Sequence, residues 1–384
     1  MGKDTENVSM KKICFFVNSG WYFELHWLDR ANALKNGNNE VHIVSNFSDA
    51  EMQRLGTQGF HCHQTGMRER SLKIFHAISD FFNSIKILKR INPDLIHCIT
   101  IKPIIIGGLF SRFMHKPFIA SFVGLGRVFM IQTCSYKLLK RIVGFIYKLI
   151  FKNKKSLLLF EHENDQNILL QLISIPRERC VVINGSGVDL EKFNYVQEED
   201  SLKPSVLFAS RLLWCKGLGD LVKIKKDISA HIEFDLNVAG ISVEGDPDSI
   251  PLSTIDVWNE ESIITWLGKR DDISNLIESN SIVVLPSTYF EGVPRILIEA
   301  AAKGRPIIAY DTGGCGNILH NGINGYLIEK GNIDELKNKI IFLLSDINIR
   351  RHMGENGRRL VETHFGSVII IKQTMSAYSR ILSS

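Results

Sequence analysis

One stretch, residues 281–316 (SIVVLPSTYFEGVPRILIEAAAKGRPIIAYDTGGCG), constrains the fold of this chain more than any other part of it. The apolar, β-branched run at 282–285 is closed by Pro286 and Ser287, which is typical of a strand buried on both faces of a parallel sheet. A loop must follow, and a helix then starts near Pro294 and ends at Gly304, before a second buried strand at 306–310. We therefore expect a strand, loop, helix and strand in a parallel α/β sheet.

The start of this helix has the properties of an anion site. The backbone amides around Arg295 and Ile296 and the positive end of the helix dipole favour a diphosphate, and Gly292 lets a ligand approach the backbone. Glu291 and Glu299 flank the place, and a carboxylate accepts hydrogen bonds from the two hydroxyls of a ribose or a sugar ring. Spacing alone leaves open an alternative in which Glu291 caps the helix and Glu299 faces solvent.

A second turn supplies two cations. Arg211 and Lys216 follow a predicted strand at 206–209 and precede a helix. An arginine neutralises a diphosphate by bidentate contact and a lysine does so as a point charge. Taken alone the pair is explained by solvated loop charges, but beside the two glutamates phosphate binding is favoured.

Apolar runs alternate with helical patterns along the whole chain, the rhythm of βα units. Strands are predicted in the first half at 13–17, 41–45, 95–99, 117–122, 157–160 and 181–183, with helices from about Trp21 and at 72–91, 104–113 and 165–173. Strands are predicted in the second half at 206–209, 234–238, 263–267, 282–285, 307–310 and 326–328. A polar break at 184–189 and 197–203 separates the halves. We expect two Rossmann-like domains facing each other across a cleft, residues 1–195 and 196–366, followed by a last helix at 367–382.

Composition limits the cellular setting. A chain of 384 residues with 45% hydrophobic content can fill two ordinary cores, and a net charge of +5 does not indicate nucleic acid as a partner. The seven cysteines are scattered without a CxxC pair, which favours reduced thiols in the cytoplasm. No apolar run reaches the length of about 18 residues that a membrane-spanning helix needs. We expect a soluble or peripheral cytoplasmic protein.

Residues 136–155 interleave basic and apolar side chains. A basic amphipathic helix suits an anionic membrane surface, and Lys137, Lys140, Arg141 and Lys148 are the expected membrane contacts. The alternative is a helix whose apolar face belongs to an ordinary core. Further basic residues of the same half are Arg68, Arg70, Lys73, Lys86, Lys89 and Arg90.

The chain resembles a known enzyme family. Ser210-Arg211 with Lys216-Gly217, and the run 291–294 with Glu299, resemble the Arg, Lys and Glu-x7-Glu pattern of family 4 retaining glycosyltransferases of the two-domain GT-B fold. The likeness extends from about Ile13 over nearly the whole chain and looks closest to bacterial enzymes that extend undecaprenyl-diphosphate-linked sugars. The closer likeness is carried by residues 21–23 with His26, 102–103, 124–126, 185–189, 268–272, 299–301 and 304–306.

The resemblance assigns roles to residues. It implies that Arg211 and Lys216 hold the nucleotide diphosphate, Glu299 the ribose, and Glu291 with the amides after Pro294 the donor sugar, with Glu291, Arg211 and Lys216 as the catalytic set. The full nucleotide-sugar site is then Arg211, Lys216, Glu291, Gly292, Val293, Pro294, Arg295, Ile296 and Glu299. The acceptor side is Asn18, Gly20, His26, Lys102, Gly124 and Gly126, with His26 near the start of its helix. The first domain would bind the acceptor, the second the nucleotide sugar, and the last helix would cross back onto the first.

The activity implied is transfer of a sugar from a nucleotide diphosphate, UDP by expectation, to a polyprenyl-diphosphate-linked saccharide in O-antigen or capsule synthesis. No metal or other cofactor is expected, and the enzyme would lie at the inner face of the cytoplasmic membrane. Asp246-Pro247-Asp248 spells the Asp-x-Asp motif with which other glycosyltransferases bind a metal, but its Gly-Asp-Pro context favours a structural turn. Two alternatives stay open: a nucleotide-sugar epimerase of the same architecture, and a catalytically silent scaffold at the membrane.

Overall fold

The computed structural model describes residues 10–67, 74–126, 129, 133–200, 203–228, 232–243 and 245–383. The chain forms two compact units, Met1–Ile183 with Ile371–Ser384, and Asn184–Ile370. Each unit contains one parallel sheet with helices in its connections. Arg68, Arg70, Lys73 and the first residues of the helix predicted at 72–91 lie outside the described part.

The sheet of the first unit has seven strands in the order β3-β2-β1-β4-β5-β6-β7. Their bounds are β1 Lys12–Ser19, β2 Glu40–Asn46, β3 His61–Gln64, β4 Leu95–Ile99, β5 Phe118–Phe122, β6 Ser156–Phe160 and β7 Cys180–Val182. Ile13 pairs with Val41 on one side and with Leu95 on the other. The strand order therefore reverses between β1 and β4, and the crevice outside the carboxyl ends of such a strand pair is where ligands bind in open α/β sheets.

The helices of the first unit are Gly20–His26, Leu28–Asn36, Asp49–Thr57, Ile74–Ile91, Ile101–Met114, Cys134–Ile150 and Glu163–Leu172. The last helix, Ser367–Leu382, begins in the second unit and ends in the first. Its Tyr378 hydroxyl hydrogen-bonds the buried His97 of β4, whose other ring nitrogen lies 2.6 Å from the Ser121 hydroxyl of β5. Burial lowers the pKa of His97, so this contact joins neutral groups.

The sheet of the second unit has six strands in the order β10-β9-β8-β11-β12-β13. Their bounds are β8 Ser205–Ala209, β9 Asp235–Ala239, β10 Thr265–Trp266, β11 Ile282–Leu285, β12 Ile307–Tyr310 and β13 Gly325–Ile328. The helices are Leu218–Ile228, Leu252–Glu260, Ile273–Glu278, Arg295–Ala302, Cys315–Ile318, Ile333–Ser345 and Ile347–His364. Here the strand order reverses between β8 and β11, which places the second switch point beside residues 281–316.

The predicted α/β class with two Rossmann-like domains is confirmed, and each predicted strand has a counterpart. Two elements differ. The helix predicted from about Trp21 is broken at Trp27, whose indole is buried with its centroid 4.7 Å from that of the His97 ring. The strand predicted at 263–267 shrinks to Thr265–Trp266, because the amides of Ile263 and Ile264 both donate to the Trp258 carbonyl.

Candidate functional site

The loops after β8 and β11 meet where these two strands end side by side. Val206 pairs with Ile282 and Leu207 with Val283, so both strands deliver their following loops to one edge of the sheet. Gly217, just after Lys216, has φ 86°, and a Cβ there would lie 2.0 Å from the Pro286 carbonyl oxygen. Because glycine alone fits this contact, the loop that carries Lys216 packs directly on the loop that carries Glu291.

Lys216 and Glu291 form an ion pair. The Lys216 amine donates to Glu291 Oε1, although the two residues are far apart in sequence. The Ser287 hydroxyl donates to the same oxygen at 2.6 Å, and the Tyr289 ring centroid lies 5.5 Å from the Lys216 amine. Lys216 is 6% exposed. In the described part of the chain the second carboxylate oxygen of Glu291, Oε2, has no hydrogen-bond partner, so the pair keeps an acceptor available.

The backbone of Glu291 is held by a third loop, the one after β12. Gly313 has φ 57°, and a Cβ there would lie 1.9 Å from the Glu291 carbonyl oxygen. The Gly314 amide donates to the carbonyls of Glu291 at 3.0 Å and Gly292 at 3.2 Å. The Thr312 hydroxyl donates to the Ser287 carbonyl at 3.0 Å. Three loops from three adjacent strands therefore fix Glu291, and sequence reasoning had named only two of them.

The helix Arg295–Ala302 starts directly after Pro294, with no side-chain cap. Hydrogen bonding into the helix begins with the amides of Leu297 and Ile298, which donate to the Pro294 carbonyl at 3.1 and 3.3 Å. Within the described residues the Ile296 amide donates to no oxygen, as expected of a first turn. The alternative in which Glu291 caps this helix is wrong, because its carboxylate binds Lys216 and Ser287 instead.

Glu299 lies one turn inside the same helix and is buried, with 6% of its surface exposed. Its Oε1 accepts a hydrogen bond of 2.6 Å from Arg295 Nε. Burial raises the pKa of the Glu299 carboxyl, and the charge of Arg295 opposes that shift. The alternative in which Glu299 faces solvent is therefore wrong. Arg295 and Glu299 form a second ion pair on the helix that begins at the Glu291 loop.

The other predicted residues of this site lie in different surroundings. Val293 is buried and sits against Gly185 in the core of the second unit. Arg211 is exposed on the loop after β8, and in the described part of the chain its side chain forms no ion pair. The structure thus joins Lys216 to Glu291 and Arg295 to Glu299, and leaves the Arg211 guanidinium facing solvent.

The carboxylates of Asp246 and Asp248 accept hydrogen bonds from backbone amides. Asp248 Oδ2 accepts from the Cys215 amide at 3.1 Å, and the Asp248 carbonyl accepts from the Trp214 amide at 2.8 Å. The Asp248 amide in turn donates to Asp246 Oδ1 at 3.0 Å. The preferred reading of these residues as a structural turn agrees with these contacts, which fix the loop next to Lys216. Sequence reasoning missed this support and the role of Ser287, since both depend on contacts between distant loops.

The acceptor-side residues of the first unit follow three adjacent strands. Asn18 is near the end of β1 and Gly20 starts the next helix, Lys102 is in the first turn after β4, and Gly124 and Gly126 follow β5. Because β1, β4 and β5 are neighbours, these residues lie at one edge of the sheet.

His26 differs from the prediction. Because the helix breaks at Trp27, His26 is the last residue of Gly20–His26 rather than near the start of a longer helix. Its ring centroid lies 4.3 Å from that of Tyr22, so it packs against the preceding turn.

The helix Cys134–Ile150 carries the four lysines and arginines expected to contact the membrane. Lys137, Arg141 and Lys148 are exposed, whereas Lys140 is half-buried with its amine 5.8 Å from the Phe129 ring centroid. Its opposite face is core: Tyr147 and Ile150 are fully buried. The core alternative therefore accounts for one face of the helix and not for the other.

Two family models match this chain in succession. Residues 12–190 match "Glycosyl transferase 4-like" and residues 191–360 match "Glycosyl transferases group 1". Curated relatives include the N,N'-diacetylbacillosaminyl-diphospho-undecaprenol alpha-1,3-N-acetylgalactosaminyltransferase of Campylobacter jejuni, 27% identical over 92% of this chain and 94% of that protein. Another is the UDP-Gal:alpha-D-GlcNAc-diphosphoundecaprenol alpha-1,3-galactosyltransferase of Escherichia coli, 24% identical over 80% of this chain and 81% of that protein.

Solved structures share the architecture. A glycosyltransferase from Rickettsia africae superposes with a TM-score of 0.76 at 20% identity, over 97% of this chain and 99% of that one. Anabaena HepE in complex with UDP and glucose gives a TM-score of 0.77 at 19% identity, over 96% of this chain and 100% of that one. At this identity the likeness concerns the fold.

Proposed function

This chain is a glycosyltransferase of the 4-like and group 1 families with the GT-B fold, and we propose that it transfers a sugar from a UDP-sugar to a polyprenyl-diphosphate-linked saccharide, with retention at the anomeric carbon. Support for the acceptor comes from the Campylobacter and Escherichia relatives, whose names specify undecaprenol-diphosphate-linked sugars. Surface glycan synthesis, of O-antigen or capsule, is the setting that such an acceptor implies.

The pairing of Lys216 with Glu291 carries the proposal. In a nucleotide sugar the β-phosphate is bonded directly to the anomeric carbon, so a phosphate-binding cation and a hydroxyl-binding carboxylate must be close neighbours. Lys216 and Glu291 are in contact at the switch point between β8 and β11. Glu291 Oε2 has no partner in the described residues, which suits a sugar hydroxyl as its donor.

Different residues of the second unit bind different parts of the nucleotide sugar. Arg211 and Lys216 neutralise the diphosphate, and the backbone amides after Pro294 add the positive end of the helix dipole. Glu291 binds the donor sugar with Gly292, and Glu299 binds the ribose hydroxyls. Val293 supports the loop from the core, where it is 5% exposed.

In the reaction, the bond between the anomeric carbon and the β-phosphate oxygen breaks while the acceptor hydroxyl attacks the same face of the sugar, and the hydroxyl proton passes to the departing diphosphate. The chain's own contribution is to stabilise negative charge as it grows on the β-phosphate, through Lys216 and Arg211. Because Lys216 is buried and already held by its ion pair with Glu291, this cation needs little reorganisation during the step. Fixed cations can take the place of a divalent ion, so we propose that no metal is required.

The first unit is the proposed acceptor side. Asn18, Gly20, Lys102, Gly124 and Gly126 lie at the carboxyl edge of its sheet, the edge where α/β proteins bind ligands. His26 is a proposed acceptor residue from the family likeness alone. The enzyme would lie at the inner face of the cytoplasmic membrane, where a polyprenyl-linked acceptor is anchored, and no nucleic acid is involved.

The direct test is a transfer assay with purified protein, a panel of UDP- and GDP-sugars, and synthetic polyprenyl-diphosphate sugars. We expect a lipid-linked product from a UDP-sugar. Formation of epimerised nucleotide sugar in the absence of acceptor would show that the protein is an epimerase and not a transferase. Tight UDP binding without turnover on any lipid acceptor would identify the silent scaffold.

Ser287 is expected to position Glu291. Its hydroxyl is buried and donates 2.6 Å to Glu291 Oε1, so Ser287→Ala removes one of the two donors to that oxygen. We expect turnover to fall by about tenfold, the scale of one hydrogen bond to a charged group, with UDP affinity unchanged. Steady-state kinetics and calorimetric UDP binding measure the two quantities. Ser345→Ala, an exposed serine, is the matched control, and Ser287→Thr keeps the hydroxyl. Equal losses in UDP affinity and turnover would show that Ser287 maintains the fold of the loop and does not act specifically by positioning Glu291.

A further inference from the structure

Two helices of the first unit expose large apolar side chains. On Ile74–Ile91 these are Phe75, Ile78 and Phe82, and on Cys134–Ile150 they are Leu138, Ile142 and Phe145. Phe75, Phe82 and Phe145 are 81%, 66% and 71% exposed. Single exposed apolar residues are ordinary, but a row of them on one helix face marks an interaction surface.

The two helices belong to one layer. Helix Ile101–Met114 packs against both of them. Leu88 of the first helix and Val143 of the second contribute to the same hydrophobic core as Phe16 and Cys98 of the sheet. Both helices therefore cover the same face of the sheet, and their exposed rows point away from it.

Basic side chains accompany each apolar row. On Cys134–Ile150 the helical spacing of 3.6 residues per turn places Lys137, Arg141 and Lys148 along one side of the row Leu138, Ile142 and Phe145. That helix contains no aspartate or glutamate.

On Ile74–Ile91 the outward face is apolar in its first half and basic in its second, where Lys86, Lys89 and Arg90 are exposed. The one acidic residue of this helix, Asp80, is 7% exposed and lies on the buried side. The outward faces of both helices thus combine apolar and basic side chains with no carboxylate among them.

We propose that these two outward faces form one membrane-docking face, which binds the surface of an anionic bilayer. Its apolar members are Phe75, Ile78, Phe82, Leu138, Ile142 and Phe145, and its basic members are Lys86, Lys89, Arg90, Lys137, Arg141 and Lys148. The apolar side chains enter the boundary between headgroups and acyl chains, and the basic ones contact lipid phosphates. In the described part of the chain no helix is long and apolar enough to cross a bilayer.

The positive charge of the docking face indicates which partner binds to it. A row of apolar side chains alone would suit a second copy of this chain, but the six cations of the docking face would then be brought together at the interface and repel one another. An anionic lipid surface satisfies both the apolar and the basic members. This inference extends the proposed function, because it names the surface that holds the enzyme beside a lipid-anchored acceptor.

The test is binding of the full chain to vesicles of phosphatidylglycerol with phosphatidylcholine, measured by co-sedimentation over a series of salt concentrations. Lys137→Gln/Arg141→Gln/Lys148→Gln should lower affinity by about tenfold or more at low salt, since each basic residue near such a surface adds about a fivefold factor. The vesicle affinity of this variant should depend less steeply on salt concentration than that of the wild type. Phe82→Ser/Phe145→Ser should lose the binding that wild type retains at high salt. Leu252→Ser/Ile323→Ser, at exposed apolar positions of the second unit, is the matched control.

Two outcomes overturn the docking face. One is vesicle binding by both variants equal to that of the control. The other is unchanged vesicle binding together with a loss of dimer in the Phe82→Ser/Phe145→Ser variant by size-exclusion chromatography, which would make a second copy the occupant. Calorimetric UDP binding and transfer to a short, water-soluble diphosphate-linked acceptor are expected to be unchanged in both variants. If the wild type neither bound UDP nor transferred sugar to the water-soluble acceptor, the proposed function would be contradicted and the docking face would not.

Discussion

Replacing Lys216 by alanine is expected to lower the turnover of glycosyl transfer by roughly a hundredfold or more, the scale seen when one preorganised charge stabiliser is removed. Lys216 is 6% exposed and its amine contacts Glu291, so its loss removes the cation and leaves the Glu291 carboxylate without its ion-pair partner. Arg211→Ala should have an effect of the same order. Turnover at saturating donor and acceptor is the measurement.

Lys223→Ala provides the control, because Lys223 is an exposed cation on the helix that follows Lys216. Its turnover should equal that of the wild type. Full activity in Lys216→Ala would show that the diphosphate is neutralised elsewhere, and the assignment of the site would fail with it.

The same mechanism predicts that activity survives EDTA largely intact, because fixed cations and helix amides supply the charge that a metal would otherwise supply. Loss of all activity in EDTA, restored by Mn²⁺ or Mg²⁺, would contradict this. Asp246 and Asp248 would then be tested first, although both carboxylates accept backbone hydrogen bonds in this structure. Backbone order near Cys215 would need checking in those variants.

Replacing Glu291 is expected to affect mainly turnover, and replacing Glu299 is expected to affect mainly UDP affinity. Glu291→Ala should lower turnover by roughly a hundredfold with little change in UDP affinity, because contacts to the sugar change during the reaction. Glu299→Ala should weaken UDP binding by about tenfold or more, the scale of hydrogen bonds to a charged group, and should act mainly on binding because ribose contacts stay constant. Calorimetry with UDP and steady-state kinetics separate the two. Equal loss of UDP affinity in both variants would count against the assignment.

Glu299 also predicts a pH dependence of UDP binding. Burial raises the pKa of this carboxyl, so on acidification it takes up a proton sooner than an exposed glutamate does. Since the carboxylate is the form that accepts from both ribose hydroxyls, UDP affinity should fall as the pH is lowered through that raised pKa. In Glu299→Gln, which does not titrate, the affinity should be lower and independent of pH over the same range. A parallel decline in wild type and Glu299→Gln would place the titrating group elsewhere.

The sequence determined most of the sheet architecture. Strands buried on both faces are continuous apolar runs, and runs such as 282–285 and 307–310 can be recognised without knowledge of their neighbours. β3 was not recognised, because the sequence of this edge strand, HCHQ, has no apolar run. The break at Trp27 was also missed, since it depends on an indole that packs against residues distant in sequence.

The sequence also named the residues of the candidate site, because cations after one strand and carboxylates around a helix start are local patterns. Only the tertiary structure decided how these residues pair. Lys216 reaches Glu291 because β8 and β11 are adjacent and Gly217 permits the loops to touch, and Ser287 and Gly313 fix Glu291 from two sides. Whether Glu299 and the apolar rows of two helices are buried or exposed was likewise undecided, since burial depends on which elements pack together and local spacing does not specify that.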